Sequence, residues 1–267
     1  MPQTPRRALH RLAGVARRHL PNALAETAFA LGARVVDGPA RLPGPPPGPV
    51  LCVAAPPDDE TIGCGGALAR HAQRGDDVTV VVATSGEASA GGGHLAARRE
   101  AEVAGACAAL GLPRPPVLLR LPDGALSERV EALAGHVARH GARAATVYVP
   151  SLLDAHRDHL AANTAVARCG LPARVLGCEV WSPGPVDALL DVTDVFARKE
   201  QALAGYATAR RQVDYLRTAR GLAAYRSASA GLGGAGYAEG FITLSAARHA
   251  TLVAKVAGRP HRRLGGS

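Results

Sequence analysis

The sequence predicts an α/β fold built on a mostly parallel sheet with helices on both faces, and three observations predict it. Apolar runs at 50–55, 78–83, 117–121, 144–149 and 175–180 alternate with helical stretches near 65–74, 95–110, 127–140 and 160–169, the rhythm of βαβ units. The runs are continuously apolar, as expected of strands covered on both faces. The clusters of acids, imidazoles and glycines fall just after the runs, where an open parallel sheet binds ligands.

Taken in order, the chain begins with Leu9, Leu12, Ala16 and Leu20 at helical spacing among Arg and His, ending at Pro21, with a second helical stretch from Ala23 to Leu31. This reads as a basic amphipathic helix packed on the domain's own surface, with an anionic membrane or a partner as the alternative. Residues 38–49 hold too many prolines and glycines for a helix or a central strand and read as a semi-rigid linker or extended lead-in. The expected organisation is therefore a basic N-terminal helical segment and linker over 1–49, one domain over 50–257, and a basic disordered tail over 258–267. Within the domain, Val130, Leu133 and Val137 mark the buried stripe of the third helix, with Ser127 as its expected N-cap. After Trp181 the texture changes. A helix carrying Val195, Lys199, Leu203 and Tyr206 is expected to follow Thr193 or Asp194, and the glycine cluster at 231–236 reads as a mobile loop. That cluster follows no strand and precedes no Lys-Ser/Thr, so it does not read as a phosphate cradle.

Composition narrows the function classes. The 267 residues are 47% hydrophobic but only 3% aromatic, so the core must be built from Ala, Val and Leu. A net charge of +9 suits an anionic partner, yet much of the excess sits in Arg-rich ends without aromatic interleaving or a nucleic-acid motif, and no nucleic-acid partner is expected. Five cysteines without a C-x-x-C pair read as core residues in a reducing compartment. No apolar run approaches the ~18 residues of a membrane span, and no secretory h-region follows Arg6-Arg7, so the expected location is cytoplasmic. Oligomeric state leaves no mark in the sequence.

The chemistry concentrates after the first and fourth runs. Asp58, Asp59 and Glu60 lie side by side at a strand end, where like charges repel unless a cation or proton sits between them. They therefore read as a metal site, as a carboxylate of raised pKa, or as anionic caps at a helix N-terminus; Glu60 reads as a supporting residue. Asp154, His156, Asp158 and His159 place two imidazoles and two carboxylates within six residues. Imidazole with carboxylate suits zinc, and a neighbouring acid can orient the ring by taking its other N–H. The alternative is a solvated polar loop with capping Asp residues.

Ala55-Pro-Pro-Asp-Asp-Glu60, followed by T-I-G-C-G-G, resembles the A-H-P-D-D-E signature of the PIG-L/LmbE-like de-N-acetylases, and His156-Arg-Asp-His159 resembles their H-x-D-H signature. Arg99 and Glu102, Pro122-Asp123-Gly124, Cys178-Glu-Val-Trp181, Lys199 and Ala238-Glu-Gly-Phe241 agree in order, so the resemblance spans about residues 50–245. It implies a Rossmann-like domain that removes an N-acetyl group from a small-molecule amino-sugar conjugate with the help of one zinc ion. Carried over, Asp59 and His159 are metal ligands, Asp58 is the general base, and His156 stabilises the oxyanion and helps protonate the leaving amine. Pro56 departs from the pattern, standing where the family carries its first histidine ligand, and proline has no side-chain donor. Either a substitute such as His94 or Cys64 completes the site, or the chain binds a sugar conjugate without turning it over, or it works without a tightly held metal.

Overall fold

A computed structural model describes residues 38–88, 94–154, 156–211 and 213–257. The helices expected before residue 38, the glycines at 91–93, the side chain of His94 and the tail from 258 lie outside the described residues. From Pro39 the described chain forms one compact unit.

Eight strands make one sheet: β1 (Ala40–Leu42), β2 (Val50–Ala54), β3 (Val78–Thr84), β4 (Val117–Leu121), β5 (Thr146–Pro150), β6 (Arg174–Cys178), β7 (Ala188–Asp191) and β8 (Ala238–Ser245), in the spatial order β1-β7-β8-β6-β5-β2-β3-β4. The helices are α1 (Asp59–Arg74), α2 (His94–Ala109), α3 (Val130–Gly141), α4 (Arg157–Arg168), α5 (Phe196–Gly205), α6 (Tyr215–Ser227) and α7 (Ala246–Ala257). β4, β3, β2, β5 and β6 are parallel neighbours, whereas β8 runs antiparallel to both β6 and β7. The expected α/β fold with a mostly parallel sheet is therefore present. β1, inside the proline-rich lead-in, pairs with β7 at the sheet edge, where a short strand without central ladder bonds tolerates nearby prolines.

The pleat sorts the side chains of each strand onto two faces. Val50, Cys52 and Ala54 of β2 join Leu68 of α1, Val103 of α2, Leu110 just after it, and Phe196 and Tyr206 around α5 in one core layer. Leu51 and Val53 join Leu133 and Val137 of α3 and Ala162 and Val166 of α4 in the other. Every residue of β2 is buried, which accounts for its unbroken apolar run.

Local chemistry revises two expectations. Ser127 does not cap the third helix; it lies inside a 3-10 turn, Leu126–Arg129, that precedes α3. The first helix begins at Asp59 rather than near residue 65, and it is broken at Cys64 (φ −146°, ψ 21°). The break leaves the Gly66 and Ala67 N–H groups to donate to Glu239 Oε1 and Oε2 at 2.7 and 2.8 Å. Lys199 Nζ bonds Glu239 Oε1 at 2.6 Å and the Ile62 carbonyl at 2.8 Å, neutralising the buried carboxylate. Among the described residues, no helix is long and apolar enough to cross a membrane.

Candidate active site

The chain runs from β2 outward to β3 and β4, then returns to lay β5 on the other side of β2. Adjacent crossovers diverge at that switch point, and the loops after β2 and β5 face each other across the crevice. The acidic triplet leaves β2 and the His156–His159 stretch leaves β5, so the topology brings together the two segments that the sequence singles out.

Asp58 is the N-cap of α1, with φ 112° and no capping bond from its side chain. A non-glycine residue in that region costs about 1–3 kcal/mol and persists only where its surroundings hold it. Glu60 supplies part of that hold, accepting the Asp58 N–H at 3.1 Å and the hydroxyls of Thr61 and Tyr206. It is a support, as the sequence suggests. The freed Asp58 carboxylate sits 3.4 Å from Arg99 Nη2, both side chains being buried. Burial, followed by the neighbouring Asp59 charge, raises the Asp58 pKa well above the usual carboxylate range, with Arg99 pulling the other way.

Asp59 turns inward. Its Oδ2 accepts the Ala55 N–H at 2.9 Å and lies 3.1 Å from His159 Nε2, while His159 Nδ1 is 3.1 Å from Asp154 Oδ2. Asp154 is fixed in turn by the backbone N–H groups of Trp181 and Ser182 at 3.3 and 2.8 Å. Burial works to lower the His159 pKa, but the two carboxylates outweigh it and carry the pKa to about 10.

His156 caps α4 by accepting the Asp158 N–H on Nδ1 at 3.2 Å. That bond leaves Nε2 as the protonated nitrogen, a donor available to a ligand. The ring lies 4.8 Å from that of His159 and stacks at 5.9 Å on Trp181, the only tryptophan of the chain. Asp158 does not face the cleft; it accepts the Gly124 and Leu126 N–H groups at 2.7 and 3.2 Å, pinning the loop after β4. Asp123 in that loop lines the cleft together with Asp58, Arg99, His156, Thr208 and Tyr215.

The donor set decides how far the site suits a metal. His159 Nε2 is buried without a hydrogen bond of good geometry despite the nearby Asp59 oxygen, and Asp154 holds the opposite nitrogen, the arrangement of a metal-ligating imidazole. These two donors fit a divalent cation, but catalytic zinc usually takes three protein donors. Pro56 offers none, and no group of three or more His, Cys, Asp or Glu residues is arranged to hold a metal among the described residues. Cys64 does not fill the gap. Its Sγ is buried in the core 3.7 Å from Cys52 Sγ and 3.3 Å from the Glu60 carbonyl.

Sequence reasoning passed over Tyr215 and the pairing of Arg99 with Asp58. Burial and then the Asp58 and Asp59 charges push the Tyr215 hydroxyl up to about 12, which keeps it a proton donor.

The strand order defines a Rossmann-like α/β domain, with this acid–imidazole cluster as a candidate site at the switch point. Residues 51–169 match the PIG-L family, described as GlcNAc-PI de-N-acetylase. A 1D-myo-inositol 2-acetamido-2-deoxy-alpha-D-glucopyranoside deacetylase of Rhodococcus erythropolis is 30% identical over 50% of this chain and 58% of its own length, so the match spans little more than half of that relative. The uncharacterized deacetylase YaiS of Escherichia coli is 28% identical over 50% of this chain and 74% of its own. Among solved structures, the conserved protein TT1542 of Thermus thermophilus is similar with TM-score 0.63 and 28% identity over 73% of this chain and 93% of that one. An N,N'-diacetylchitobiose deacetylase of Pyrococcus horikoshii (TM-score 0.60, 23% identity, covering 74% and 84%) shares the fold. So does the 4-carboxy-2-hydroxymuconate hydratase GalB of Pseudomonas putida (TM-score 0.56, 23% identity, covering 81% and 99%).

Proposed function

We propose that the chain is a hydrolase that removes an N-acyl group from an amino-sugar conjugate, with Asp58 as general base and Asp59 and His159 as the seat of a divalent cation, zinc by family resemblance. Because one fold serves both deacetylases and a hydratase, the reading rests on the site rather than the architecture. The observation that carries it is Asp58, a buried carboxylate of raised proton affinity lining a cleft beside a histidine donor.

In this reading water adds to the acyl carbon and gives its proton to Asp58. His156 Nε2–H and the Tyr215 hydroxyl donate to the developing oxyanion. The C–N bond then breaks, the proton passes to the departing nitrogen, and a free amine and a carboxylic acid leave. A cation held by Asp59 and His159 supplies the Lewis acidity that eases attack on an otherwise poor electrophile. Asp154 orients His159 for that task. Five free cysteines support placing the reaction in a reducing, cytoplasmic compartment.

Pro56 favours a second reading, in which the chain binds the conjugate without cleaving it. Acid release from N-acylglucosamine conjugates, measured beside the zinc content of the purified protein, separates the two. The hydrolase reading expects release, and Asp58→Asn should lower it by about 10²–10⁴-fold while leaving the zinc content unchanged. Unchanged turnover in that variant would remove Asp58 as the base. Saturable conjugate binding with near-zero zinc and no release would establish the second reading.

A further inference from the structure

Trp181 and Tyr215 each line two cavities: the polar cleft just described and a second one of about 390 Å³ on their other side. Val180, Pro183, Val213 and Leu222 contribute to the walls of the second cavity. Its four charged residues compensate one another in pairs. Arg226 holds Glu179 at 2.5 and 3.0 Å and bonds the Gly184 carbonyl, and Lys199 holds Glu239 at 2.6 Å. No unbalanced charge remains to select an ionic ligand. Trp181 at the shared boundary is 60% exposed, an unusual position for the chain's single tryptophan, and such apolar surface at a pocket mouth marks a ligand site.

An amide substrate has two arms. The polar cleft, about 80 Å³ and lined by Arg99, Asp123 and Thr208, suits the amide and the hydroxyls nearest it, with the rest of the sugar arm outside the cleft. With the sugar arm on the polar side, the acyl arm would leave the scissile bond on the other side, and Trp181 and Tyr215 are the boundary that the cleft shares with the second cavity. An acetyl group would leave a 390 Å³ cavity almost empty, since a methylene-sized unit occupies roughly 30 Å³, about the share of one water molecule in the liquid.

We infer that this cavity is an acyl pocket, and that the preferred substrate carries an apolar N-acyl chain of about eight carbons in place of acetyl. The inference rests on the proposed hydrolase activity. Each buried methylene can contribute up to about fourfold in binding, so the six extra methylenes of N-octanoylglucosamine set a ceiling of roughly 10³–10⁴-fold, and kcat/KM for it is expected to exceed that for N-acetylglucosamine by about thirtyfold.

The test measures kcat/KM along an N-acyl series from two to ten carbons on one methyl glucosaminide. Alongside it, tryptophan fluorescence is titrated with octanamide and with acetamide, neutral probes read by Trp181 without turnover. The expected result is a rate rising to about eight carbons, with a saturable fluorescence change for octanamide alone. Ala219→Phe, which fills the cavity, and Val213→Tyr, which narrows its mouth, should each lower the octanoyl-to-acetyl ratio and weaken octanamide binding by about tenfold. A flat series, or a preference for acetyl, overturns the acyl pocket while leaving the hydrolase reading intact. A preference for octyl over methyl glycosides of N-acetylglucosamine also overturns it, by assigning the cavity to the aglycone arm. Absence of all turnover sinks the hydrolase reading, and the octanamide titration then decides the pocket alone: a saturable change lost in both variants upholds it, and no change removes it.

Discussion

Asp58 and Pro56 lie two positions apart and pull the site in opposite directions. Asp58 is held in a strained backbone conformation with its carboxylate lining the cleft rather than capping α1, whereas Pro56, in the proposed reading, stands where the resemblance places the first metal-binding histidine. Pro56→His is therefore expected to raise zinc affinity by about tenfold or more and acyl release with it, as isothermal titration and product assays would read. An unchanged affinity would show that position 56 does not face the cation seat. At this scale much was legible in advance: Asp58, Asp59, His156 and His159 do converge, and Asp154 does orient His159. Tyr215 was not legible, because its contribution depends on how the segment after α5 folds back over the cleft, a long-range packing event without a local pattern.

At the scale of elements, the break in α1 links the helix to the far end of the chain. Gly66 stands where an added Cβ would lie 2.7 Å from Val192 Cβ and Cγ1 and 3.0 Å from Glu239 Oε1. Gly66→Ala should thus destabilise the fold by about 1–3 kcal/mol through overpacking. Gly105, exposed on α2 with nothing within 4 Å of its added Cβ, supplies the opposite case. Gly105→Ala should stabilise by about 0.5–1 kcal/mol through helix propensity. Chemical denaturation of the two variants checks both signs together. The five parallel strands were readable because each is a continuous apolar run bounded by turns. β7 and β8 were not: β7 has only four residues, and β8 is half-buried toward its end, so neither stands out from its surroundings. Lys199 and Glu239 could be noted in sequence, but only the fold shows that they meet.

Over the whole molecule, stability should depend on acid through buried imidazoles. His249 is buried on α7, with Nε2 bonded to Asn163 Oδ1 at 2.8 Å, and burial lowers its pKa to about 4. His71, buried between Asp76 and Tyr148, is also lowered by burial. A depressed folded-state pKa favours the neutral ring, so this stability is complete above the unfolded pKa of ~6.5 and is lost as pH falls toward 4. For His249 the loss amounts to on the order of 3 kcal/mol, and thermal unfolding between pH 7 and 4 should show it. His249→Gln should flatten that slope. A slope unchanged by the substitution would assign the acid sensitivity to other groups.

The reversed direction of β8 has a consequence for the order in which the molecule is assembled. Because β8 opposes its neighbours, its first residues reach the sheet end where the parallel strands finish, and Glu239 arrives beside Gly66 across 173 positions of chain. The five parallel strands are complete by Cys178, yet until residue 239 has been synthesised the broken turn of α1 has no anion to satisfy its amides and Lys199 has no counter-charge. A growing chain can therefore build the scaffold well before it can finish the site, and the slow, long-range closure falls to the last strand made.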